Sequence, residues 1–198
     1  MNLTNEYYYF TEVLDKEMCG KIIGLGAEGF NEATVGHGAP TSIIDKEIRT
    51  SETAWSSEPW LYDLIWPYMV EANTQAGWEY DVKTAEAVQI TRYEKGGFYN
   101  FHKDGQSDNL GAYNSPQNLF THGKVRKLSM VIILNDDYEG AGFEFATMGN
   151  GASTLYTPEF NKIGSIIVFP SFLVHRVKPV TKGTRYAAVC WFLGPPFK

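Results

Sequence analysis

The sequence is poor in cysteine, in long apolar runs and in positive charge. Its two cysteines, Cys19 and Cys190, lie in apolar surroundings without C-x-x-C spacing, so we expect two reduced, buried thiols and a cytoplasmic protein. A single disulfide is the alternative. No apolar run approaches the roughly 18 residues of a membrane helix, and the opening "MNLTNEYYYF" lacks the basic and apolar segments of a signal peptide. The net charge of −6 argues against nucleic acid as a partner.

Aromatic residues, by contrast, are abundant. Tyr, Phe and Trp make up 15% of the 198 residues, which favours β structure. The length suits one domain, residues 1–198, with a helical N-terminal part over about 1–80 and a β core over about 85–195. Helices are predicted at 15–25, where Asp15 can cap the first turn, and at 58–76, where Pro67 is expected to kink or divide the helix.

From residue 85 onward the pattern is typical of strands separated by turn residues. The predicted strands cover residues 85–93, 98–102, 127–135, 142–148, 164–170, 175–180 and 185–193. This order predicts an α+β fold whose core is a double-stranded β-helix, or jelly roll, with the N-terminal helices packed against it. Residues 29–54 are predicted to form a long excursion with one short strand, and residues 105–124 and 149–162 to form loops. The basic run 124–127 is predicted to be a solvated strand entrance.

The stretch "NFHKDG" places His102 and Asp104 two positions apart at the end of a predicted strand. Side chains two positions apart in a strand point to the same face. An imidazole and a carboxylate on one face can supply two ligands of a 2-His-1-carboxylate iron site, although this spacing alone is also common by chance.

A third ligand has three histidine candidates. His37 and His122 lie in predicted loops, whereas His175 follows the apolar strand "IIVFP". We favour His175, because a metal site is held best on regular structure.

Arg185 opens the strand "RYAAVCWFL", ten residues after His175. Its side chain should share one face with Ala187, Val189 and Trp191. A buried arginine among small residues needs an anion, which is either a ligand carboxylate or an internal Asp or Glu.

These segments resemble the Fe(II)- and 2-oxoglutarate-dependent oxygenases, in particular the prolyl-4-hydroxylase-like group and its PKHD-type relatives. "ITRYEKGGFYNFHKDG" is similar to the Y-x-x-G-x-x-Y-x-x-H-x-D pattern of that group. "LSMVIILND", "YEGAGFEF" and "VFPSFLVHRVKPVTKGTRYAAVCWF" are similar to the strands that precede and carry its last histidine and its basic residue.

The resemblance implies roles for individual residues. His102, Asp104 and His175 would be both catalytic and the iron ligands, and Arg185 would bind the distal carboxylate of 2-oxoglutarate. Three further residues would line the pocket: Tyr93, Tyr99 and Trp191. Ascorbate is an implied reductant, and Ile132 stands where some relatives place a hydroxyl near the co-substrate.

The implied reaction is hydroxylation of a peptide or protein, at proline, with release of succinate and CO2. The alternatives are an oxygenase for a free amino acid, another small molecule or a nucleobase, and a non-catalytic jelly-roll binding module. The loop 105–124 contains Leu110, Tyr113, Leu119 and Phe120. We expect it to close over the substrate as a lid, whereas the alternative is a surface loop packed on the barrel by those side chains.

Overall fold

The fold is seen in a computed structural model, which describes residues 5–36, 42–105, 111–149 and 152–197. The two helices are Lys16–Gly24 (α1) and Pro59–Gln75 (α2). The strands within the described residues are Tyr8–Phe10 (β1), Asn31–Glu32 (β2), Val35–Gly36 (β3), Ser42–Ile43 (β4), Arg49–Thr50 (β5), Glu52–Ser56 (β6), Thr84–Ala85 (β7), Val88–Tyr93 (β8), Phe98–His102 (β9), Val125–Ile133 (β10), Glu139–Gly140 (β11), Phe143–Gly149 (β12), Ala152–Tyr156 (β13), Ile166–Pro170 (β14), Val174–Val177 (β15), Val180–Lys182 (β16) and Arg185–Gly194 (β17).

Both helices begin and end close to their predicted bounds. The Asp15 side chain accepts a hydrogen bond of 2.8 Å from the backbone N–H of Met18 and so caps α1 as expected. Pro67 does not divide the second helix, because α2 runs past it; the kink expected as the alternative stays a prediction. Pro67 and the residue one turn before it, Asp63, lie on the exposed face. The carbonyl that loses its helical partner can therefore bind water.

The larger sheet has the order β1-β14-β10-β17-β8-β6-β2, with β7 also pairing with β17. One of its faces packs against the helices. This first core is built from buried apolar side chains of α1, α2, β8, β10, β14 and β17, and it includes Cys19 and Cys190. The two thiols are buried and free, as predicted.

The smaller sheet has the order β13-β12-β15-β9-β5. Side chains from both sheets form a second core, in which Val131 and Phe169 of the larger sheet lie with Phe143, Phe145 and Val177 of the smaller one. All the strand pairs of these two sheets are antiparallel. Within the described residues, the architecture is therefore an α+β arrangement of two helices, two packed sheets and the two-stranded pairs β11-β16 and β3-β4. None of the helices described is long and apolar enough to span a bilayer.

The sequence pattern missed several short strands. In the described part of the predicted excursion 29–54, five strand segments begin, and one of them, β6, extends the larger sheet beside β8. The predicted loop 149–162 contains β13, which pairs with β12. Segments of two to five residues carry too few positions for a period to show, so their structure depends on the partner strand.

Candidate active site

The two histidines of the predicted triad lie opposite each other on adjacent strands. His102 ends β9 and His175 lies in β15, and the antiparallel register pairs the two residues directly. Their ring centroids are 4.2 Å apart. Two imidazoles from distant parts of the chain thus meet because β9 and β15 are neighbours in the smaller sheet.

Asp104 lies two residues beyond the end of β9 and is held by hydrogen bonds from outside that strand. Its backbone N–H donates to the Ser171 carbonyl at 2.9 Å, and its Oδ2 accepts from the Ser129 hydroxyl at 2.7 Å. Its carboxylate oxygens lie 3.8 Å from His102 Nε2 and 3.6 Å from His175 Nε2.

The ligand atoms of His102, Asp104 and His175 all lie within 4.8 Å of one another. No other group of three or more His, Cys, Asp or Glu side chains in the described part of the chain comes together in this way. The structure thus brings together the three residues that the sequence singled out.

The two imidazoles are oriented by backbone carbonyls. His102 Nδ1 lies 2.8 Å from the Asn100 carbonyl, and His175 Nδ1 lies 2.9 Å from the Leu173 carbonyl. A neutral imidazole that donates from Nδ1 leaves the lone pair of Nε2 free for a metal. Both Nε2 atoms face Asp104, so the donor atoms converge.

The charge states also suit a divalent cation. Burial, followed by the neighbouring His175, lowers the pKa of His102 to about 3, so the ring is neutral at physiological pH. Burial alone raises the pKa of the Asp104 carboxyl, but His175, His102, Arg126 and the Ser129 hydroxyl together bring it below its usual value. Two imidazoles and one carboxylate form the donor set that fits Fe(II).

Tyr99 covers one imidazole. Its ring stacks on His102 at 3.5 Å between centroids, with 11° between the planes. Burial raises the pKa of Tyr99 to about 12, so it remains a neutral phenol beside the site.

The triad opens into a cavity of about 250 Å³ between the two sheets. The expected inward face of β17 is confirmed, because Arg185, Ala187, Val189 and Trp191 all line this cavity. The other side chains of its wall include Arg49, Trp55, Gln89, Tyr93, Tyr99, Arg126, Val131, Phe143 and Val177. Ile132 instead belongs to the first core, behind the sheet, and its neighbour Val131 faces the cavity.

Arg185 is a buried cation without a complete set of partners. It is 1% exposed, and its Nε and Nη2 atoms have no hydrogen-bond acceptor. No carboxylate of the described residues forms a salt bridge with it; its guanidinium lies 5.5 Å from the ring centre of Tyr93, its partner in β8. The internal salt bridge considered for Arg185 is therefore absent from the described part of the chain. A buried guanidinium in a cavity fits a ligand carboxylate.

Arg126 is a second arginine that lines the cavity, and the sequence pattern did not single it out. Arg126 donates two hydrogen bonds of 2.7 Å to the carboxylate of Glu86, and its guanidinium lies 3.8 Å from the ring centre of Trp191. Tyr113 donates to the same carboxylate at 2.9 Å. The prediction that the run 124–127 is solvated is therefore wrong for Arg126, and also for Lys127, which is buried. The only available signal was that both cations lie between apolar Val125 and Leu128 at the start of a predicted strand.

The remaining candidate histidines do not join the triad. His122 is exposed, and its Nδ1 accepts from the backbone N–H of Ser115 at 3.2 Å. His37 lies outside the described residues.

The loop 105–124 is described only in part, since residues 106–110, which include Leu110, lie outside the described residues. From residue 111 it folds back on itself, with Tyr113 and Lys124 paired through their backbones. Leu119 and Phe120 are 78% and 72% exposed, so these two side chains do not pack on the sheets. Closure over a substrate remains a prediction.

The family model of the 2OG-Fe(II) oxygenase superfamily matches residues 88–193, which is more than half of the chain. The chain belongs to this superfamily. Fe(II) and 2-oxoglutarate are the cofactor and co-substrate that membership assigns. The donor set fits the first, and Arg185, whose Nε and Nη2 have no acceptor, fits the second.

A PKHD-type hydroxylase of Stenotrophomonas maltophilia (strain K279a) is 34% identical over 105 residues. That match covers 52% of this chain and 41% of the relative, so the chain spans about two fifths of the relative's length.

Two solved structures share the fold. The viral collagen prolyl hydroxylase from Paramecium Bursaria Chlorella virus-1, in a 2-oxoglutarate complex, has a TM-score of 0.63 and 22% identity, covering 96% of this chain and 97% of that one. A prolyl hydroxylase from Trichoplax adhaerens, in complex with a hypoxia inducible factor peptide fragment, has a TM-score of 0.63 and 16% identity, covering 96% and 84%.

Proposed function

We propose that this chain is an Fe(II)- and 2-oxoglutarate-dependent dioxygenase that hydroxylates a peptide or protein, at proline, and releases succinate and CO2. The observation that carries the proposal is one cavity that holds both the converging His-Asp-His donors and Arg185, a buried arginine without a salt bridge whose Nε and Nη2 have no acceptor. The first feature suits a divalent metal and the second suits the far end of a dicarboxylate.

In this proposal His102, Asp104 and His175 hold the iron, and Arg185 binds the distal carboxylate of 2-oxoglutarate. When bound, the iron supplies the oxygen chemistry, and ascorbate would keep it reduced. The protein's own contribution is orientation: the carbonyls of Asn100 and Leu173 fix the imidazoles.

The wall residues have simpler roles. Tyr93 and Tyr99 are placed to line the co-substrate pocket, and Trp191 forms part of its wall. Trp191 Nε1 is buried without a hydrogen-bond acceptor, so a polar ligand atom could accept from it.

The peptide substrate is supported by likeness alone. The PKHD-type relative is named a hydroxylase, and a solved prolyl hydroxylase with a similar fold holds a peptide. We further infer that the two packed sheets form a jelly roll, that residues 1–198 act as one domain and that the protein works in the cytoplasm.

The test is a turnover assay. Protein loaded anaerobically with Fe(II) and 2-oxoglutarate is exposed to air with a panel of proline-containing peptides. Succinate and a peptide mass gain of one oxygen atom are then measured. We expect both products from the native chain and neither from Asp104→Asn, which removes the negative ligand.

The matched control is Asp63→Asn, a change of the same kind on the exposed face of α2. Its activity should equal that of the native chain. A native chain that binds Fe(II) but forms no succinate with any peptide would contradict the proposed peptide hydroxylation. Loss of activity in both variants would contradict the specific role of Asp104, because a change on the exposed helix face would then have the same effect.

A further inference from the structure

Arg49 is a second buried arginine of the cavity without an acidic partner. It is 7% exposed, and its Nε donates to the Ser51 hydroxyl at 2.7 Å. Its guanidinium lies 4.7 Å from the ring centre of Tyr99, its cross-strand partner in β9. No carboxylate among the described residues lies within the 4.0 Å of a salt bridge to it.

Arg49 lies close to the His-Asp-His triad, separated from His102 by one aromatic ring. Tyr99 lies between them, with its ring stacked on His102 and in contact with Arg49. An anion bound by Arg49 would therefore lie on the wall next to His102, whereas Arg185 lies on β17 in the opposite sheet.

When the positive and negative charges of the cavity are paired with each other, Arg49 has no negative partner. The two positive charges of Fe(II) and the charge of Arg185 are cancelled by Asp104 and the two carboxylates of 2-oxoglutarate. Arg126 is neutralised by its two hydrogen bonds to Glu86. Of the three arginines that line the cavity, only Arg49 would then have no carboxylate within salt-bridge distance among the described residues, and a buried charge without such a partner is costly.

We propose that the substrate to be oxidised carries a carboxylate and that Arg49 binds it. This inference rests on the proposed function and narrows its substrate class. The carboxylate has three possible sources: the α-carboxylate of a free amino acid, the C-terminus of a peptide, or an acidic side chain within a peptide. All three present the planar pair of oxygens that a guanidinium binds best.

The test uses pairs of ligands that differ only in this charge. The pairs are N-acetyl-L-proline and its amide, a short proline peptide with a free or amidated C-terminus, and a proline peptide with an internal Glu or Gln. Binding to the chain loaded with Mn(II) and 2-oxoglutarate is measured by calorimetry under anaerobic conditions. In at least one pair, the acid should bind about 10- to 100-fold more tightly than its neutral partner, and that pair identifies the source.

Variants assign the preference to Arg49. Arg49→Gln should abolish the preference for the acid while the affinities for Mn(II) and 2-oxoglutarate stay unchanged. Arg49→Lys should retain part of it, because it keeps the charge but not the fork geometry. The matched control is Arg92→Gln on β8, since Arg92 is already paired with Glu52, at 2.7 Å for Nε, and lies outside the cavity wall. It should behave as the native chain.

The contradicting outcomes are distinct. A loaded chain that shows no preference for the acid in any pair overturns this inference alone, as does a preference that survives in Arg49→Gln. An Arg49→Gln variant that weakens acid and amide equally, or lowers 2-oxoglutarate affinity, shows a structural role and also overturns it. A chain that binds neither Mn(II) nor 2-oxoglutarate would overturn the proposed function as well.

Discussion

Replacing Arg185 should change stability and co-substrate affinity in opposite directions. Without a ligand, the native chain keeps a 1%-exposed guanidinium whose Nε and Nη2 have no acceptor. Arg185→Met fills a similar volume without a charge. It removes a desolvation cost of a few kcal/mol, offset by loss of the Tyr93 contact worth about 1 kcal/mol. We therefore expect the ligand-free variant to be more stable by about 1–2 kcal/mol.

The same change removes the charge-assisted contact to a carboxylate, which is worth about 1.5–3 kcal/mol, or roughly 10- to 100-fold in affinity for 2-oxoglutarate. For a chain of this size, 1 kcal/mol corresponds to about 2–4 °C in Tm. Calorimetric unfolding without ligand and titration of 2-oxoglutarate into Mn(II)-loaded protein measure the two effects separately.

Arg92→Met is the matched control, because Arg92 already has a carboxylate partner in Glu52. It should lower Tm or leave it unchanged, with unaltered 2-oxoglutarate affinity. If Arg185→Met instead loses several kcal/mol of stability and keeps its affinity, then Arg185 has an internal anion and the reasoning is refuted.

Three further expectations follow from the described contacts. Asp104→Ala should abolish stoichiometric Fe(II) binding in a chelator competition, because it removes the negative ligand. His122→Ala, the control, should bind Fe(II) as the native chain does. The reverse pattern would show that the wrong residues were chosen as ligands. The hydrogen bond from Lys178 is the main cause that lowers the pKa of Glu144, so this carboxylate stabilises the fold above its unfolded pKa and loses that effect as the pH falls through the folded one. Glu144→Gln should therefore cost about 0.5–1 kcal/mol in urea unfolding at pH 7 and progressively less as the pH falls through the folded pKa. A cost that does not fall with pH would contradict the ion pairing. Burial raises the pKa of both thiols, Cys19 and Cys190, so neither should react with iodoacetamide until denaturant is added, and rapid native labelling would contradict their burial.

The features that the sequence predicts best are those whose signal lies within one segment of the chain. The long strands β10 and β17 carry dense β-branched and aromatic residues, and His102 and Asp104 lie within three residues of each other. The face of β17 that carries Arg185 followed directly from strand alternation. Such signals are local, and the structure confirms them.

Features that depend on distant partners were missed. Glu86 follows the end of β7 and Arg126 lies near the start of β10, and the two form an ion pair. No sequence period in either segment links them. Arg49 occupies a strand of two residues, and its position at the cavity depends on pairing with β9. In both cases the tertiary contact, not the local pattern, determines the role of the residue.

The pairing of His102 with His175 has a consequence for how the protein acquires its metal. The two donors come from distant parts of the chain and face each other only after β15 has aligned beside β9. Since that alignment requires closure of a long loop, the complete donor set exists only when the two strands are paired. Iron then adds stability only by mass action, in proportion to the logarithm of its free concentration. We therefore expect unfolding of the chain to shift to higher temperature as the free Fe(II) concentration rises.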